Sequence, residues 1–266
     1  MRLAQHRILT VRHPFPMAAC MTTQWLRIAH RGASGSAPEH TRPAFERALN
    51  AGADMIELDV QLSRDGELMV MHDLDLQRTT STRGAVRDYD LAELKKLDAG
   101  SWFDQHFCGE PILTLDEVLT LVAGRARLNV EVKAPATDWP AIAPRLVKVL
   151  REYAALESTV ISCFDAPALE AVRAQSDDAR LGLLWQHTDF TDAWPWLREF
   201  HAVSIHPFWM LASSDVIHRA HALGVQVLTW TVNDIAAMRS LVRLGVDGIM
   251  SDFPERFADV DDAPPP

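Results

Sequence analysis

A chain of 266 residues with 48% hydrophobic and 23% charged side chains has the composition of a soluble globular protein of one large or two small domains; no apolar run approaches the ~20 residues of a membrane span. The formal charge of −10 excludes a general nucleic-acid binder, which needs a basic patch, and means that local cations would have to meet an anionic ligand. Three scattered cysteines, Cys20, Cys108 and Cys163, without C-x-x-C spacing, predict neither a disulfide framework nor a zinc site and fit a cytoplasmic protein.

In chain order, residues 1–23 carry basic side chains but no secretory h-region, and are expected to be an extension that is disordered or precedes the true start. From LRIAH onward, strands are predicted at 25–29, 54–61, 127–133, 159–163, 180–185, 202–206, 225–231 and 247–251. They alternate with segments of helical period such as TRPAFERALNAG, TLDEVLTLVAG and DIAAMRSLVRLG. Gly52, Gly224 and Gly245 stand where helices end and C-caps are needed. Eight strands alternating with helices predict an α/β fold, a (β/α)8 barrel over residues 24–258. An open doubly wound sheet would usually carry G-x-G-x-x-G after its first strand, and that motif is absent. Residues 73–111 are too long for a βα loop and predict a small insertion subdomain after the second strand, capping one end of the barrel. Residues 259–266 read as an acidic, Pro-rich tail.

The second strand, MIELDVQL, places Glu57, Asp59 and Gln61 on one face and Ile56, Leu58 and Val60 on the other. On a half-buried antiparallel strand the polar face would merely be wetted. Barrel strands are covered by helices outside, so here the apolar face packs outward and the acids point into the barrel. LNVEVK repeats the pattern, with Asn129, Glu131 and Lys133 inward. Three acids and a lysine converging at one end of a barrel require a cation and an anion.

Barrel active sites form at the C-terminal strand ends. Those ends present His30-Arg31, Glu57, Asp59, His72-Asp73, Glu131, Lys133, Ser162, Phe164, His206, Trp230, Asn233 and Asp252. Glu57, Asp59 and Glu131 are hard oxygen donors suited to one divalent cation, Mg²⁺ or Ca²⁺ with Mn²⁺ as a further option, whereas zinc favours His and Cys. As purely structural acids they would instead pair with Arg31 and Lys133. His30 and His72 are the candidate general base and acid. Arg31 offers a planar fork and Lys133 a point charge for a phosphate. Trp230 offers an apolar wall. Cys163 is placed beside the site but lacks a basic partner that would make it a nucleophile. His187, His201, His218 and His221 read as surface or packing residues.

AHRGASGSAPEHT, IELDV, MVMHD, PILTLDEVL, LNVEVK, SCFD, WTVN and GVDGIMSDFP, in this order over about residues 26–257, resemble the bacterial cytoplasmic type of the glycerophosphodiester phosphodiesterase family. The resemblance implies that His30 and His72 are the acid/base pair and that Glu57, Asp59 and Glu131 ligate a divalent metal. It further implies that Arg31 and Lys133 bind phosphate and that Trp230 lies near the glycerol. The implied reaction is hydrolysis of small glycerophosphodiesters, such as glycerophosphocholine and glycerophosphoethanolamine, to sn-glycerol 3-phosphate and an alcohol. The attacking group would be water, or the glycerol 2-hydroxyl by way of a cyclic phosphate. The expected partners are that small substrate, with no nucleic acid and no membrane anchor, for a monomer or homodimer. Two positions depart from the family pattern: His40 stands where Pro-Glu-Asn-Thr has Asn, and Ser251 where Thr precedes Asp252.

Competing readings make different demands. An aldolase or isomerase would use Lys133 as a Schiff-base amine and leaves three carboxylates unexplained. A head-group-binding barrel without turnover would not need both histidines. A phospholipase acting on intact lipid would be expected to carry a membrane-docking segment, and none is evident.

Overall fold

The computed structural model describes residues 25–261; the extension expected over 1–23, with Cys20, and the last five residues of the expected tail lie outside them. The strands are β1 Leu26–His30, β2 Met55–Leu62, β3 Leu68–Val70, β4 Arg127–Val132, β5 Thr159–Cys163, β6 Arg180–Trp185, β7 Ser204–Pro207, β8 Gln226–Thr229 and β9 Gly248–Ser251. All except β3 are parallel and pair in a closed ring, β1 hydrogen-bonding to β2 on one side and to β9 on the other. This is the predicted (β/α)8 barrel, each strand lying within two residues of its expected limits. β3 adds a short antiparallel hairpin to β2, with Val70 opposite Val60.

Alternation sorts the core into two shells. Ile56, Leu58 and Val60 of β2, and Leu128, Val130 and Val132 of β4, pack outward against the helices. Inside, Ile28, Met55, Val160, Leu228 and Met250 form a separate plug. Met55 and Val160 lie toward the N-terminal ends of their strands, and the plug fills the barrel interior up to Met250, which reaches the pocket, leaving the C-terminal strand ends for polar side chains.

Cys163 corrects an expectation. With Val160 turned into the barrel, its odd-numbered neighbour must face the helices, and the Cys163 thiol donates to the Val132 carbonyl at 3.3 Å within the outer shell. Burial pushes this thiol up to about 12, which disfavours the thiolate that a nucleophile needs.

Between β3 and β4 the chain makes short helices at Gln77–Thr80 and Leu91–Leu94 around a small core of its own, Met69, Met71, Leu76, Val86, Leu94, Ala99 and Ile112. It then rejoins the barrel through the helix Leu115–Val122, opened by a capping box: the Thr114 hydroxyl accepts from the Glu117 N–H, and the Glu117 carboxylate accepts from the Thr114 N–H. The final helix, Phe257–Asp261, runs into the stretch read as a tail, and Phe257 packs edge-on against Trp25. Among the described residues no helix is long and apolar enough to cross a membrane.

Candidate active site

The loop after β1 folds back over the barrel mouth through backbone conformations that most side chains avoid. Arg31 and His40 have φ of 55° and 61°, and Gly32 has 80°. A Cβ on Gly32 would lie 2.8 Å from the Ala44 backbone, so only glycine fits there. Left-handed non-glycine residues cost on the order of 1 kcal/mol or more each, and here they are held by hydrogen bonds. The Arg31 N–H lies 3.0 Å from both the Glu57 carbonyl and its carboxylate, and the His40 N–H donates to the Arg31 carbonyl. The loop thereby brings Arg31, Glu39 and His40 against the acids of β2.

Ligand oxygens of Glu57, Asp59 and Glu131 lie within 4.8 Å of one another, and all three side chains are buried. Register explains the meeting: Asp59 of β2 stands opposite Glu131 of β4. Neither carboxylate oxygen of Asp59 has a hydrogen-bond partner; Arg31 at 3.6 Å and Lys133 at 3.7 Å are its cationic neighbours, and His40 Nε2, which accepts from the Asp59 backbone N–H, lies 3.3 Å away. Burial and the charge of Asp59 push Glu57 well above the usual carboxylate range and Glu131 up to about 7. Burial also pushes Asp59 upward, but His40, Arg31 and Lys133 outweigh it and hold this carboxyl below its usual range. Three buried oxygen-donor side chains, two of them with raised proton affinity around an ionised Asp59 whose two oxygens are orphaned, fit a hard divalent cation. The Asn129 side-chain amide oxygen, also buried and unpartnered, is one more hard donor lining the same pocket.

The two histidines are built alike. His30 Nδ1 donates to Asp252 at 2.6 Å, and His72 Nδ1 donates to Asp73 at 2.6 Å. Asp252 is fixed in turn by Ser34 and Asn233, and Asp73 by Arg78. Both aspartates sit at about 2: burial would raise them, but for Asp252 His30 and for Asp73 Arg78 and His72 overcome it. Each ring is left with Nε2 for chemistry; that of His30 lies 3.9 Å from the Glu57 carboxylate. For His72, burial together with Arg31 and Lys133 lowers the pKa from its ordinary value despite the nearby aspartates.

A single pocket is lined by His30, Arg31, Glu57, His72, Glu131, Lys133 and Trp230, seven of the eight expected site residues; Asp59 lies buried just beneath them. Phe164, Leu184 and Met250 join Trp230 as the apolar part of the lining. Trp230 is locked by its indole N–H to the His206 carbonyl and by edge contacts with Phe164 and Phe208. Lys133 pairs with Glu131 at 2.7 Å and lies 5.6 Å above the Phe164 ring. Burial disfavours its charge, yet Glu131 and Asp59 raise its pKa, which leaves no free amine for a Schiff base.

Other strand-end residues fall elsewhere. His206 is fully buried below the mouth, bonded to the Ser204 hydroxyl, with its pKa driven down to about 3 by desolvation. His40 is buried against Asp59, yet it lines a second, smaller cavity under the insertion, with Glu39, Met71 and Thr79. The roles of Asp73, Asp252 and Glu39 were not evident from sequence. For Asp252 a signal existed, because a closed barrel makes β9 the neighbour of β1.

The sequence profile of the glycerophosphoryl diester phosphodiesterase family matches residues 30–256. A glycerophosphodiester phosphodiesterase of Caldanaerobacter subterraneus subsp. tengcongensis is 41% identical over 86% of this chain and 95% of its own length. One from Bacillus subtilis is 35% identical over 87% and 85%. In structure, an Oleispira antarctica phosphodiesterase in complex with the product sn-glycerol-3-phosphate superposes with a TM-score of 0.84 at 31% identity, covering 89% of this chain and 96% of that one. With the barrel, the convergent strand ends and these relatives in agreement, the chain belongs to the glycerophosphoryl diester phosphodiesterase family.

Proposed function

We propose that this enzyme hydrolyses small glycerophosphodiesters, glycerophosphocholine and glycerophosphoethanolamine among them, to sn-glycerol 3-phosphate and an alcohol in the cytoplasm. In this reading His30 and His72 are the acid/base pair, and Glu57, Asp59 and Glu131 hold one divalent cation, Mg²⁺ or Ca²⁺. The carrying observation is the pair of aspartate-anchored imidazoles at one pocket with three buried carboxylates. The product bound to the Oleispira neighbour supports the same substrate class.

Arg31 and Lys133 sit where they can bind the phosphodiester oxygens once a cation takes over the acids they now neutralise. A divalent cation bound by the three carboxylates would supply further positive charge against the phosphate. Asp252 and Asp73 accept hydrogen bonds from the Nδ1–H groups and so fix which ring nitrogen faces the substrate. One Nε2 accepts a proton from the attacking hydroxyl as the new P–O bond forms, and the other donates a proton to the departing alcohol oxygen as its P–O bond breaks. Trp230 and Phe164 wall the carbon skeleton and keep bulk water from that side.

The test is release of glycerol 3-phosphate from glycerophosphocholine by the purified protein with Mg²⁺ or Ca²⁺, run beside an EDTA-treated sample. Metal-dependent release is expected. Release undiminished by EDTA would remove the cation from the mechanism, and no release from folded protein with any metal or head group would remove the reaction.

A further inference from the structure

Arg78 lies on the short helix Gln77–Thr80 of the insertion, outside the pocket lining. Its guanidinium makes a two-pronged contact with Glu39 at 2.7 and 2.9 Å and donates through Nε to Asp73 at 2.5 Å. Each acid has a second partner inside the site. Glu39 holds Arg31 at 3.1 Å, and Asp73 holds the His72 ring at 2.6 Å. The Arg78 guanidinium also lies 5.6 Å from the Trp102 ring of the insertion. One side chain thus joins the loop after β1, the loop after β3 and the insertion, and is the shared partner of the residues that hold Arg31 and His72.

We infer that Arg78 is a positioning residue of the phosphodiesterase, setting His72 through Asp73 and Arg31 through Glu39, so that the insertion is a working part of the active site. This rests on the acid/base reading of His72 given above. The geometry assigns two separate effects. Without Arg78, Asp73 loses the partner of its outer oxygen and is free to rotate away from His72, which lowers turnover. Glu39 is left with Arg31 alone and competes with the substrate phosphate for that guanidinium, which raises KM. A lysine keeps the charge but lacks the fork, and so cannot hold both acids at once.

The experiment is a double-mutant cycle of Arg78→Gln and Asp73→Asn, with Arg78→Lys as companion. Arg78→Gln is expected to lower kcat roughly 10- to 100-fold, as loss of an orienting partner behind a reactive ligand does, and to raise KM. In the Asp73→Asn background the same change should cost kcat less than about 3-fold, because the path is already cut. Arg78→Lys should recover KM and only part of kcat. Independently of activity, the downfield Nδ1 proton of His72 in NMR spectra should shift or vanish in Arg78→Gln while that of His30 stays. Additive losses of kcat, or a variant with unaltered kcat, KM and His72 resonance and only a lower melting temperature, would overturn the inference. If Arg78→Gln does not fold, the same comparisons are made on Arg78→Lys, where wild-type kcat would overturn it. A wild type that releases no glycerol 3-phosphate would sink the reaction instead, and the His72 resonance would still decide the role of Arg78.

Discussion

His30 and His72 each spend Nδ1 on an aspartate, which makes the aspartates as informative to replace as the rings. Asp252→Asn puts an amide where His30 needs an acceptor and favours the wrong tautomer; kcat is expected to fall on the order of 10³-fold with KM little changed. Glycerol 3-phosphate release across substrate concentrations checks it, and a variant within a few-fold of wild type would remove Asp252 from the mechanism. The acids make a second prediction. Protons on Glu57 and Glu131 compete with a cation, and both groups hold protons more tightly than ordinary carboxylates, Glu131 at about 7. Calorimetric affinity for Ca²⁺ or Mg²⁺ should therefore weaken as pH drops from 8 to 6, with proton release on binding; pH-independent affinity would contradict it. Strand alternation made Glu57, Asp59 and Glu131 legible as candidates, while Arg31 and His72 lie just past the ends of β1 and β3. The sequence concealed Glu39 and Arg78, whose pairing spans 39 positions and depends on how an insertion without periodicity folds.

At the level of strands and helices, Gly182 of β6 shows what alternation cannot reveal. A Cβ there would come within 2.7 Å of His206 Nε2 and 2.9 Å of the Ser204 hydroxyl, so the strand has no side chain where the next strand's imidazole crosses it. Gly182→Ala should destabilise the barrel by about 1–3 kcal/mol, read by urea denaturation, since neither neighbour has space to yield. The capping box of Leu115–Val122 offers a milder case: Thr114→Ala should cost about 1 kcal/mol. The eight barrel strands were legible in the sequence because each carries an apolar outer face bounded by helical segments. Their ends were less so, as at β7, expected at 202–206 and found at Ser204–Pro207, where buried polar residues blur the pattern.

For the molecule as a whole, the buried ionisable groups shape stability against pH. His206 is neutral when folded, with a pKa near 3 against about 6.5 when unfolded. Its contribution is full above about pH 6.5 and declines as pH falls below that, by about 1.4 kcal/mol per pH unit, until about pH 3. Glu39, Asp73 and Asp252, all near 2, stabilise fully above the ordinary carboxylate range and lose this as pH falls through 4 toward 2. Between pH 7.5 and 5.5 Glu57 and Glu131, raised in the fold, gain stability while His206 loses it, so the His206 share is read as the difference in urea unfolding between wild type and His206→Gln at the two pH values; the same pH slope in both proteins would refute the assignment. Closure of the ring also has a temporal side. His30 and Asp252 meet across the seam between β1 and β9, 222 positions apart, so one half of the proposed acid/base pair lacks its anchor until β9 docks on β1. On the proposed mechanism, a nascent chain still held on the ribosome short of β9 would not yet be armed against phosphodiesters, and a protease that trims β9 would disarm the enzyme while leaving most of the barrel's residues in place.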